Sequence, residues 1–60
     1  MHSYFLYIHD SRYSVPQLLV MDARDDDHCL TLAREYLPRS PHYLAIDVAD
    51  GEREVGRVER

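Results

Sequence analysis

The chain contains no lysine, no asparagine, one cysteine and only two glycines. A single cysteine excludes an internal disulfide and a C-x-x-C redox pair. Gly51 and Gly56 do not form a phosphate-cradling loop, and no G-x-S-x-G nucleophile motif occurs. All seven basic residues are arginine, which we read as the codon usage of a GC-rich genome rather than as selection for bidentate contacts. No stretch approaches the ~18–20 apolar residues of a membrane-spanning helix. The opening Met1-His2-Ser3-Tyr4 lacks the basic start of an export signal, and the apolar run behind it is short. Together with the free thiol, these absences predict a cytoplasmic protein with no membrane partner.

What remains is 60 residues, 45% hydrophobic and 30% charged, enough for one small domain. A core of this size supplies only about 3–5 kcal/mol of net stability. Self-association is the expected way to gain buried area. Eleven acidic against seven basic residues give a net charge of −4, a poor match for nucleic acid.

Residues 3–9, dense in Tyr, Phe and Ile, read as a strand. Asp10-Ser11-Arg12-Tyr13 reads as a turn and 15–23 as a second strand, with Pro16 at its start or on an edge. Asp25-Asp26-Asp27 opens a helix over 26–37, one aspartate capping the first turn and the others favouring the positive end of the dipole. Cys29, Leu30, Leu32, Ala33, Tyr36 and Leu37 form its apolar stripe, and Pro38 and Pro41 stop it. Residues 43–49 alternate as a third strand. Asp50-Gly51 signals a hairpin of the type I′ kind, and 52–58 returns as a fourth strand. Simple pairing sets Val55 on the face of Ile46 and Val48, and a bulge at Gly56 would turn Val58 inward as well. The expected fold is α+β: a four-stranded, mainly antiparallel sheet in the order β-β-α-β-β, with one helix on one face.

One helix covers only one face. Both faces of the first strand are apolar, Phe5-Tyr7 on one and Tyr4-Leu6-Ile8 on the other, so the alternation leaves open which faces the helix. Either Leu19-Met21 or Leu18-Val20 joins the uncovered side, together with Tyr43-Ala45. The candidate interface is Phe5, Tyr7, Leu19, Met21 and Tyr43. Such a patch marks an interaction surface, and symmetric dimers are the commonest oligomers.

Other constellations point elsewhere. His28 and Cys29 are adjacent and diverge by about 100° on a helix, and no zinc-like ligand spacing occurs. Cys29 sits on the apolar stripe, which favours a buried small hydrophobe over a nucleophile. Asp47 and Glu54 face each other in simple hairpin pairing, with Arg53 and Arg57 near enough to offset them. Phe5, Tyr7 and Tyr43 are placed to stack unpaired bases, with Arg12, Arg39, Arg53 and Arg57 available for phosphates. The acidic balance and the lack of a basic run weigh against this.

The assembled pattern resembles a group of small uncharacterised alphaproteobacterial proteins. The likeness is carried by Tyr4-Phe5-Leu6-Tyr7-Ile8-His9-Asp10, by Asp26-Asp27-His28-Cys29-Leu30-Thr31-Leu32-Ala33-Arg34 and by the hairpin from Ile46 to Val58. This chain departs in having leucines where that helix has alanines, and Ala49 where an aromatic is frequent. The resemblance implies the β-β-α-β-β fold and a bacterial cytosolic origin, and transfers no catalytic residue. A second, more local segment, Tyr13-Ser14-Val15-Pro16-Gln17-Leu18 ahead of a helix, is similar to antitoxins of the HicB kind. Their Pro-Gly-Cys turn and added DNA-binding segment are absent. The sequence therefore predicts a non-catalytic homodimeric interaction or accessory module, with no cofactor and no metal. The alternative is a regulator that binds single-stranded nucleic acid or a toxin partner through the aromatic sheet face.

Overall fold

The computed structural model describes residues 2–60. The chain runs β1 (His2–Asp10), β2 (Gln17–Ala23), α1 (Asp26–Tyr36), a 3-10 turn (Leu37–Arg39), β3 (Tyr43–Asp50) and β4 (Arg53–Glu59). The four strands form one antiparallel sheet in the order β2-β1-β3-β4, with α1 on one face. This is the α+β class that the pattern predicts. The connection from β2 through α1 to β3 passes across β1, so β1 lies between its sequence neighbour and a strand near the other end of the chain.

The helix begins where the carboxylate triplet places it. Asp25 is extended (φ −159°), and its side chain accepts the His28 backbone N–H at 2.8 Å. Asp26 and Asp27 occupy the first turn and Arg34 the last, each matched to the dipole. The prolines do not end the backbone abruptly. Pro38 sits in the first positions of the 3-10 turn, where a missing N–H leaves no bond unmade.

The register settles what alternation left open. Leu6 pairs with Leu19 and with Val48, and Ile8 with Ile46. Tyr4, Leu6 and Ile8 therefore face the helix, where they join Ala23, Cys29, Ala33, Leu37, Ile46, Val48 and Val58 in one buried cluster. Burying each large aliphatic side chain contributes about 1.5–3 kcal/mol. The one buried phenol has its partner: the Tyr4 hydroxyl donates to Asp26 at 2.8 Å.

The last hairpin departs from simple pairing twice. Its turn places Asp50 opposite Arg53, with Gly51 and Glu52 between them. Only Gly51 has positive φ (61°), which is the requirement of a II′ turn and not of the I′ turn expected from Asp50-Gly51. Beyond the turn the register shifts between Val48 and Ala49: Ala49 meets Glu54, Val48 meets Gly56, and Val55 is the extra residue. The bulge brings Val58 opposite Ile46 and into the core at 5% exposure, as the glycine signal suggests. The displaced turn and the bulge together separate the expected carboxylate pair, since Asp47 meets Arg57 rather than Glu54. Gly56 lies under the helix, where an added Cβ would come within 3.2 Å of a Leu30 methyl.

Candidate functional site

The face away from α1 divides along its length. On the β1–β2 side, Phe5 pairs with Val20 and Tyr7 with Leu18. Leu18 is 58% and Val20 56% exposed. On the β3–β4 side the same face is ionic. His9 Nε2 lies 2.7 Å from Asp47, Arg57 lies 3.5 Å from the same carboxylate, and Arg57 Nε lies 2.9 Å from Glu59. Ala45, in register between His9 and Glu59, is buried beneath these side chains. One half of the uncovered face satisfies itself and the other does not.

Of the five residues singled out from the sequence, the structure places Phe5 and Tyr7 on this face. Leu19 and Met21 stand opposite Leu6 and Tyr4 and pack against the core on the helix side. The residues beside Phe5 and Tyr7 are Leu18 and Val20, the other set that the alternation allowed. Tyr43 also turns to the helix side, where its ring stacks on Tyr36 with centroids 5.8 Å apart. The cause is a register shift between His9 and Asp10 that pairs Asp10 with Tyr43. The same shift turns Leu44 outward, 53% exposed, although plain alternation groups it with Ile46 and Val48. Leu44 lines a small depression of about 340 Å³ with His9, Tyr13, Val15 and Pro16.

Two polar clusters flank the core at its ends. At the start of α1, Arg53 donates to both oxygens of Asp26 at 2.9 and 3.0 Å and to Asp50 at 3.0 Å, and His2 lies 2.7 Å from Asp50. Arg53 and the Tyr4 hydroxyl hold the Asp26 carboxyl down at about 2. Burial and that same carboxylate push the Tyr4 phenol up to about 12. The surrounding groove of about 590 Å³ is open and shallow, and its charged groups are engaged with one another. They form a clasp between the helix and the β3–β4 turn. At the other end Asp10, 3% exposed, receives Arg12 through both carboxylate oxygens and the Arg12 backbone N–H. These bonds hold the Asp10 carboxyl down at about 2. They organise the turn after β1 that the sequence expects at 10–13.

Cys29 is fully buried, and its thiol is pushed up, first by burial and then by Asp26. A nucleophilic cysteine needs the reverse shift and access. Among the described residues, no three His, Cys, Asp or Glu side chains converge as a metal-binding group. No helix there is long and apolar enough to cross a membrane. Comparison with protein-family models, with curated proteins and with solved structures finds no match to this chain. The class defined by the fold is an α+β sheet-and-helix domain, and its most distinctive unsatisfied surface is the β1–β2 half of the uncovered face.

Proposed function

We propose that this chain is a small non-catalytic interaction module that acts as a homodimer, assembled through the uncovered β1–β2 half of its sheet. The observation that carries this reading is the contiguous set Phe5, Tyr7, Leu18 and Val20, with Leu18 and Val20 more than half exposed. Each such side chain contributes about 1.5–3 kcal/mol when fully buried. That is large beside the ~3–5 kcal/mol expected from a core of this size. A two-fold contact uses the same patch on both copies, and an apolar patch is its own chemical complement.

The ionic half supports the same partner. Arg57 and His9 are already engaged by Asp47 and Glu59, so neither is free to meet a phosphate chain. This favours a second copy over single-stranded nucleic acid. The test is native mass by light scattering at two concentrations tenfold apart. The expected result is twice the 7.1 kDa chain mass at the higher concentration, lost on Leu18→Lys substitution. A 7.1 kDa species at both concentrations overturns the reading.

A further inference from the structure

We infer that the two copies join edge to edge: β2 pairs antiparallel with β2 of a second copy about a two-fold axis, merging two sheets into one. This rests on the self-association proposed above and specifies its geometry.

The sheet has two outer strands, and they differ in how they treat a newcomer. β4 carries Arg53, Glu54, Arg57 and Glu59 among its seven residues, and its ladder is broken by the bulge at Val55. Charge and bulges are the devices that keep an edge from pairing. β2 has neither in force. It pairs with β1 without a break from Gln17 to Ala23, and Asp22 is its one charged residue. Proline lies outside the strand, at position 16. Along its outer side, alternate backbone N–H and C=O groups have no strand to meet. A long, regular, apolar edge of this kind is a template for another strand.

The strand that fits it best among those on the molecule is β2 itself. With the two-fold axis at Leu19, Leu18 falls opposite the partner's Val20, and Val20 opposite the partner's Leu18, on the uncovered face. On the helix side, Leu19 meets its own copy and Gln17 meets the partner's Met21. Asp22 falls opposite the partner's Pro16, so no two like charges oppose. Moving the axis to Val20 keeps Val20 on its own copy and Leu19 on the partner's Met21, but sets the Asp22 carboxylate against Leu18 on the uncovered face. Edge pairing covers part of Leu18 and Val20 with their cross-strand counterparts, so the most exposed part of the patch is the part the joint sheet removes from water.

Amide hydrogen exchange, read residue by residue by NMR on the dimeric protein, tests this. In an outer strand every second amide points to solvent and exchanges fast; strand addition protects them all. The expected result is loss of the fast-exchanging set across 17–23 in the dimer and its return on dilution to monomer. A dimer that keeps alternate fast amides in β2 overturns the edge geometry and leaves the self-association reading standing. A monomer at every concentration overturns both. Register is tested by mixing Leu18→Cys and Val20→Cys chains under oxidation. Directly opposed residues have Cα atoms about 4.5–5.5 Å apart, within the Cα separation a disulfide spans, so the mixed pair should form in preference to either self-pair. A preference for self-pairs overturns the axis at Leu19.

Discussion

The β1–β2 and β3–β4 hairpins share one sheet and one helix, yet they present opposite surfaces. In β3–β4, charged side chains occupy the uncovered face, a bulge interrupts the outer strand, and a glycine lets Leu30 close over the ladder. In β1–β2 the ladder is regular, the uncovered face is apolar at Phe5, Tyr7, Leu18 and Val20, and the outer strand carries one charge, Asp22, which accepts from Ser3 at the end of that face. The second hairpin is finished within one chain and the first is not. In so small a domain the irregular features therefore mark the self-sufficient region, and the regular hairpin is the one to which the proposed self-association is assigned.

This contrast can be broken most forcefully in the core. Ile46→Ala removes a fully buried side chain on β3 and should cost about 2–5 kcal/mol, measured by urea denaturation at a concentration where the protein is monomeric. A loss no larger than that of a substitution on the uncovered face would mean the helix does not distinguish the two sides. Next in size, Gly56→Val forces branched carbon atoms against Leu30 and should cost about 1–3 kcal/mol by overpacking. Leu30→Ala in the same background should relieve the clash. If it does not, the glycine serves the bulge and not the helix contact.

Acid separates the two ends. Asp26 and Asp10 both sit at about 2, below their ordinary 3.8. Their stabilising effect is complete above the ordinary value and is lost as pH falls toward 2. Arg53→Gln should move the acid unfolding midpoint, followed by circular dichroism, to higher pH by loosening the helix from the second hairpin. Arg12→Gln should do so through the turn after β1. Equal wild-type and variant midpoints would show that neither pair is coupled to folding. The smallest change is Val20→Thr, which should leave monomer stability within about 0.5 kcal/mol while weakening self-association in light scattering.

Much of this fold was legible in the sequence because the signals were local. The aspartate triplet marks the helix start, Gly51 the last turn and Gly56 the bulge that buries Val58. The face of the first hairpin was not legible, because Tyr4-Leu6-Ile8 and Phe5-Tyr7 are both apolar and nothing in the strand itself orders them. Alternation alone therefore puts Leu19 and Met21 on the uncovered side as readily as Leu18 and Val20, which the register places there. Tyr43 and Leu44 exchanged faces for another reason: the register shift at His9 and Asp10 arises from pairing with a distant strand. Asp47 and Glu54 do not meet, because the turn sits one residue later than Asp50-Gly51 suggests and the bulge at Val55 adds a further residue, so Asp47 reaches Arg57. Long-range register decided each of these, and hydropathy alone does not encode it.

The central place of β1 has a consequence in time. Its second neighbour is β3, with Phe5 pairing to Ala49, so during synthesis β1 and β2 are made well before the strand that completes their sheet. At about 5–20 residues per second, the nascent first hairpin waits for seconds with both faces bare, Tyr4, Leu6 and Ile8 on one and Phe5, Tyr7, Leu18 and Val20 on the other. The strand that ends in the middle of the finished sheet is the one left longest without cover. The hazard of misassociation is concentrated in the hairpin that is made before the strand that completes its sheet.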